Sequence, residues 1–271
     1  MPSQYWDENL GERYRAHRYE FGERALAGKT VLVAGGTGGL GAALVALLVR
    51  EGANVIAGYR ANRERADKLV AAMREQFAAE VRLVEGDIAE QSVRQRYVEA
   101  ARAAGPQFCG AAIFPGDAAR VKIEELELAP LEASLRVNFS GPALLARDLG
   151  AVLDAAAGGS IVLLATMQAL APFAGSLAYA APKAALVHAA KILAQQWKNV
   201  RVNVVAPGAT VAGMAEASVS SGKYDSFVAN GTVPRFGRPE DVARAVRFFL
   251  EPDGYCNGQV LAVDGGLTVR K

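Results

Sequence analysis

From residue 29 onward, short unbroken apolar runs alternate with longer stretches in which apolar positions recur every three or four residues. An unbroken run of this kind marks a strand covered on both faces, whereas the three-to-four spacing marks the buried stripe of a helix. Strands are therefore predicted at 30–34, 54–59, 81–85, 108–114, 160–165, 201–205 and 259–263. Helices are predicted at 42–50, 62–77, 88–104, 131–153, 179–197 and 239–250. The last of these opens Pro239-Glu240-Asp241, a composition suited to the positive end of a helix. Strands that alternate with helices build βαβ units, and these assemble into a parallel sheet with helices on both faces. An α/β domain is the expectation.

No linker rich in Pro, Gly or Ser, no repeat and no low-complexity tract interrupts residues 29–271, which are expected to form a single catalytic domain. Residues 1–28 stand apart as an N-terminal arm carrying Tyr5, Trp6, Tyr14, Tyr19 and Phe21 among alternating charges. So many aromatics are unusual in a disordered tail, and the arm is expected to pack on its own domain or on a neighbouring subunit.

With 51% hydrophobic residues in a chain of 271, there is ample apolar material for a core. A formal charge of +2 with acids and bases interspersed points to neither nucleic acid nor a membrane surface. Cys109 and Cys256 are the only cysteines and His17 and His188 the only histidines, too few for a disulfide framework or a metal centre. The apolar run at 42–49 is far shorter than the roughly 20 residues of a membrane span. Residues 1–28 lack the apolar core and cleavage site of a secretory signal. A cytoplasmic location is expected.

Gly35-Gly36-Thr37-Gly38-Gly39-Leu40-Gly41 falls between the first strand and the first helix. Glycines there permit positive φ and let backbone N–H groups approach a pyrophosphate at the positive end of the helix. In that position the run reads as a dinucleotide site in a Rossmann-type, doubly wound sheet of about seven strands. The second strand ends Gly58-Tyr59-Arg60-Ala61-Asn62-Arg63, with no acid to take a ribose 2′-hydroxyl and two arginines. A guanidinium suits a 2′-phosphate, so NADP(H) is expected over NAD(H).

Tyr179 and Lys183 lie four residues apart, close to one helical turn, so both project from one face. An ammonium near a phenol favours the phenolate and lowers the tyrosine pKa from its usual value of about 10. Such a tyrosine can give a proton to a carbonyl or take one from an alcohol. An isolated pair of this kind is more often a half-buried helix with a lysine reaching to water. Here the company it keeps decides.

With Gly35-x-x-x-Gly39-x-Gly41 early and Tyr179-x-x-x-Lys183 late, the chain resembles the short-chain dehydrogenase/reductase family. Further matches follow in the family's order: Asp87-Ile88, Asn138 within Arg136-Val137-Asn138-Phe139, Asn203 through Pro207-Gly208, and the segments 235–242 and 258–265. The resemblance spans residues 27 to 269 and is closest to the single-domain type that includes 3-oxoacyl-carrier-protein reductases and glucose dehydrogenases. It implies that Tyr179 is the general acid/base and that Lys183 binds the nicotinamide ribose and depresses the phenol pKa. It also implies that Asn138 holds a water linking Lys183 to solvent, that Asp87 and Ile88 flank the adenine, and that Pro207-Gly208 lie along the nicotinamide.

Three positions depart from the family pattern. Thr166 replaces the usual serine, keeping a hydroxyl but adding a methyl that narrows the space beside it. The usual Asn-Asn-Ala-Gly after the fourth strand reads Cys109-Gly110-Ala111-Ala112, which puts Ala112 where backbone passes the cofactor. Ala212 replaces a threonine, with Thr210 nearby to take over its contact with the nicotinamide amide. Both cysteines read as small buried hydrophobes.

The family's substrate lid falls between Gly213 and Gly231. Met167, Phe173 and Met214 would line the pocket and suit a substrate with an apolar portion, although each reads equally as core. Helices at 131–153 and 179–197 form dimer faces in relatives, so a homotetramer with D2 symmetry is expected. The resulting function is carbonyl–alcohol interconversion. Its rivals are a nucleotide-binding sensor or subunit that has lost turnover, and an epimerisation or dehydration on the same scaffold. Retention of Tyr179, Lys183 and Asn138 together argues for the enzyme.

Overall fold

The computed structural model describes residues 7–19 and 24–270. Its centre is a sheet of seven parallel strands in the order β3-β2-β1-β4-β5-β6-β7. The strands are β1 Thr30–Ala34, β2 Asn54–Tyr59, β3 Val81–Glu85, β4 Phe108–Ile113, β5 Gly159–Leu164, β6 Val200–Pro207 and β7 Val260–Val263. The helices are α1 Glu8–Arg15, α2 Gly39–Arg50, α3 Arg63–Phe77, α4 Gln91–Ala103, α5 Leu128–Leu135, α6 Gly141–Ala155, α7 Leu177–Gln196, α8 Glu216–Ser220, α9 Asp225–Ala229, α10 Pro239–Phe249 and α11 Leu267–Arg270.

Every residue of β1 is buried, and its alternation assigns each side chain to a layer. Val31 and Val33 pack with Leu44 and Leu48 of α2 and Val246 and Phe249 of α10. Leu32 and Ala34 face the opposite layer, with Leu145 and Leu149 of α6 and Leu186 of α7. A strand covered this way has no polar face, which is why its sequence shows no alternation. The chain runs outward from β1 through β2 to β3, then returns to place β4 on the other side of β1. The strand order reverses there, and a crevice opens beyond the carboxyl ends of β1 and β4.

In two of the predicted helices the difference in extent bears on the site. The first begins at Gly39, inside the glycine turn, rather than at residue 42. The stretch predicted as one helix at 131–153 is two, α5 and α6, joined by a π-helical turn over Arg136–Ser140. Apolar spacing runs on through that turn, so periodicity does not reveal the break. Pro142 cannot donate to the helical ladder, and Gly141 lies close to the Ala89 backbone, where an added Cβ would sit 3.2 Å from the Ala89 nitrogen.

Of the arm, Tyr5, Trp6 and Phe21 lie outside the described residues. Asp7 caps α1, its carboxylate accepting from the Leu10 amide at 3.2 Å. Tyr14 stacks on Tyr19, and both rings are largely exposed. Leu26 is fully buried in the α2 layer and anchors the start of the sheet. No helix among the described residues is long and apolar enough to cross a membrane, and no cluster of metal-ligating side chains occurs among them.

Candidate active site

The glycine turn forms the floor of the crevice, with Gly35, Thr37, Gly38, Gly39, Leu40 and Gly41 all bordering it. Gly35 adopts φ +73°, a conformation glycine takes without penalty. A Cβ on Gly41 would lie 2.2 Å from the Gly35 carbonyl oxygen, so the first turn of α2 can close on the strand only without a side chain. Gly38, the N-cap of α2, offers no side chain to the first amides of the helix. Those amides remain available to an anion at the positive helix end.

At the end of the crevice beside β2 and β3, Arg60, Asp87 and Ile88 border it. Arg63 does not border the crevice: its Nε donates to both Asp67 oxygens at 2.9 and 3.1 Å, and it also bonds the Tyr59 hydroxyl. The Asp87 carboxylate accepts from the Ala89 amide at 2.9 Å. Arg94 is buried and donates to the Ile88 and Ala89 carbonyls, both at 3.0 Å, and to Asp148 at 3.2 Å. This loop is therefore braced from α4. Tyr97 also borders the crevice, although the sequence marks it only as one of the apolar positions of α4. Its ring passes so close to Gly58 that a Cβ there would lie 1.9 Å from the phenol oxygen.

Tyr179 and Lys183 lie one turn apart on α7; they do not border the crevice directly, and Lys183 meets it through Leu164 and Pro115, which do. Lys183 is 1% exposed, and its Nζ donates to the Leu164 carbonyl at 2.9 Å and the Pro115 carbonyl at 3.3 Å. Burial pushes its pKa down to about 7. The Tyr179 phenol is pushed up to about 12, chiefly by burial, against a lowering hydrogen bond with Thr166; Tyr224 and Asp117 raise it further. The expected depression of the phenol by Lys183 is thus corrected in direction. Desolvation disfavours the charged form of both groups, and it is the leading cause of both shifts.

Asn138 sits in the π turn, fully buried. Its Oδ1 accepts from the Asp117 amide at 3.0 Å, and its Nδ2 donates to the Asp117 carbonyl at 2.9 Å and to Ser134 Oγ at 3.0 Å. Gly116 passes between Asn138 and Lys183, where a Cβ would lie 2.9 Å from Asn138 Oδ1 and 3.1 Å from Lys183 Nζ. A side chain on that loop would wedge the two apart.

Several expected positions move. Ala112 lies inside β4, fully buried and paired with Val33 and Val162, so it meets the core rather than the crevice. What borders the crevice is the loop that follows β4: Phe114, Pro115, Gly116 and Asp117. The Thr210 hydroxyl turns inward to donate to the Gly208 carbonyl at 3.1 Å, and Thr210 is 2% exposed. Gly208 is itself bonded to the Val263 carbonyl of β7 at 3.0 Å, next to Pro207 at the end of β6. The part of this segment that meets the glycine turn is Ala212–Gly213, since a Cβ on Gly39 would lie 2.7 Å from the Gly213 nitrogen.

Of the three expected pocket residues, Met214 borders the crevice and is 41% exposed. Met167 is buried, and Phe173 packs with it in a small apolar cluster that includes Val233, Leu267 and Phe227. Phe227 brings α9 of the lid region onto that cluster. Cys109 is unpaired, and burial pushes its thiol up to about 11, which suits the inert role expected of it.

A family model described as Enoyl-(Acyl carrier protein) reductase matches residues 34–268. The D-threitol dehydrogenase of Mycolicibacterium smegmatis is 29% identical, covering 90% of this chain and 95% of that protein. NADPH-dependent aldehyde reductase 2 of Arabidopsis thaliana is 30% identical, covering 89% and 94%. Among solved structures, a short-chain type dehydrogenase/reductase from Mycobacterium ulcerans superposes with a TM-score of 0.84 at 26% identity, covering 91% of this chain and 92% of that one.

Proposed function

Because this chain belongs to the short-chain dehydrogenase/reductase family, we propose that it interconverts a carbonyl and a secondary alcohol with NADP(H) as the preferred cofactor. Members of the family are nicotinamide-dependent oxidoreductases, and the crevice suits such a group. Its floor is a glycine cradle that a single Cβ would fill, and it ends on the open amides of α2. The nicotinamide supplies hydride, and the chain's own residues orient the substrate and manage one proton.

In this reading Tyr179 gives its proton to the carbonyl oxygen, and Thr166, hydrogen-bonded to the same phenol, holds that oxygen in place. Lys183, anchored by the Leu164 and Pro115 carbonyls, ties α7 to the wall of the crevice. A phenol held protonated by burial is the form that reduction uses at neutral pH. The observation that carries the reading is the Thr166–Tyr179 hydrogen bond one turn from Lys183, whose amine holds the Leu164 and Pro115 carbonyls that border the glycine-floored crevice. A panel of ketones, aldehydes and alcohols assayed with NADPH and NADP+ tests it. Turnover that Tyr179→Phe abolishes supports the assignment, and normal turnover by that variant overturns it.

Arg60 is the preference determinant. It borders the crevice and is exposed, while its neighbour Arg63 is held by Asp67. The substrate carries an apolar portion beside Met214. We also propose the D2 homotetramer, for which the exposed Leu177 and Ile192 on α7 and Leu261 on the edge strand β7 supply apolar surface.

A further inference from the structure

Pro182 lies inside α7, six positions from its start, and is buried. A proline nitrogen carries no hydrogen, so the carbonyl four residues earlier, that of Ala178, loses its helical donor. A bare carbonyl at that depth would be costly. Ser134, on α5 and 4% exposed, donates its hydroxyl to it at 2.5 Å. The same hydroxyl oxygen accepts from Asn138 Nδ2 at 3.0 Å.

We propose that Ser134 is a positioning residue for turnover, completing a closed hydrogen-bond circuit that the proline in α7 makes necessary. The circuit runs from Ala178 through Ser134 to Asn138, then across to the backbone of Asp117. It follows the loop back to Pro115, whose carbonyl accepts from Lys183, and so returns to α7. Its two ends lie five residues apart on one helix, with Tyr179 between them. The Ala178 carbonyl shares a peptide plane with the Tyr179 nitrogen, so holding one orients the other. A ring of this kind sets the phenol and the amine against the crevice loop together, whereas separate bonds would allow each to drift.

The inference rests on the proposed role of Tyr179, and the two fail differently. Normal turnover by Tyr179→Phe overturns that role, whatever Ser134 does. For Ser134, kcat, KM, cofactor Kd and melting temperature are measured for Ser134→Ala, Pro182→Ala and the double variant. Ser134→Ala is expected to lower kcat about tenfold while cofactor Kd stays within about twofold, the signature of lost alignment. In Pro182→Ala a backbone N–H again reaches Ala178, so removing Ser134 should then cost less than half as much on a logarithmic scale. Additive losses, or a lower melting temperature with kcat unchanged, would overturn the proposal. Should Ser134→Ala not fold, Ser134→Cys fills the space with a poor donor and takes its place in the same comparison. Hydrogen exchange at the Asp117 amide needs no substrate: it is expected to accelerate at least tenfold in the Ser134 variant, and unchanged protection there would also overturn the circuit.

Discussion

The Tyr59 hydroxyl donates to the Glu85 carboxylate at 2.8 Å, joining the carboxyl ends of β2 and β3. The bond occupies Glu85 and the tyrosine beside Arg60, while Asp87, the acid that borders the crevice here, accepts from the Ala89 amide. Arg63 is drawn toward Asp67 on the next turn of α3. Of the cationic side chains that end β2, only Arg60 faces the crevice.

Arg60→Ala is therefore expected to weaken NADPH about tenfold to a hundredfold, the worth of a charge-assisted contact to phosphate. NADH should change by less than about threefold. Arg63→Ala should leave the preference intact. Fluorescence titration with both nucleotides reads these outcomes, and an Arg63 effect as large as that of Arg60 would reverse the assignment.

Tyr179→Phe should lower kcat by about 10²- to 10⁴-fold, the range for a lost general acid or base, with cofactor affinity nearly unchanged. Because burial lifts the phenol to about 12, it stays protonated across the neutral range. Reduction needs the phenol, so its rate should be flat from about pH 6 to 9, whereas oxidation needs the phenolate and should climb with pH. Oxidation that peaks near neutrality would contradict this.

Lys183 carries a stability signature of defined sign. Its folded pKa of about 7 lies below the ordinary value of 10.5. Below about pH 7 the amine is charged in both folded and unfolded chains, and the full cost of burying it is present. As pH rises toward the unfolded value, the folded state has already shed the proton and that cost fades. The melting-temperature difference between Lys183→Met and the parent should therefore favour the variant most at or below neutrality and shrink toward pH 10. A difference that grows with pH would refute the buried, desolvated amine.

Gly58→Ala places a methyl 1.9 Å from the Tyr97 phenol oxygen. The ring, 1% exposed, has little room to retreat except into the crevice. Nucleotide affinity should fall by more than about tenfold, and Tyr97→Leu in the same chain should restore most of it. Calorimetric titration of single and double variants decides. No recovery in the double variant would show that the glycine serves some other end.

What the sequence determined by itself is whatever depends on neighbours along the chain. Fully apolar strands such as Thr30–Ala34, the glycines packed into 35–41 and the one-turn spacing of Tyr179 and Lys183 are local patterns with local physical causes. They were enough for the α/β fold, the glycine turn and the placing of Tyr179 and Lys183 one turn apart. The tertiary structure decided what depends on groups brought together from afar. Whether burial or a neighbouring charge governs the phenol, which arginine at the end of β2 is free, and that Ala112 faces core while Gly116 faces the crevice are settled by three-dimensional neighbours. The π turn that holds Asn138 is hidden for the same reason: apolar periodicity runs straight through it, and what it aligns lies in another loop and another helix.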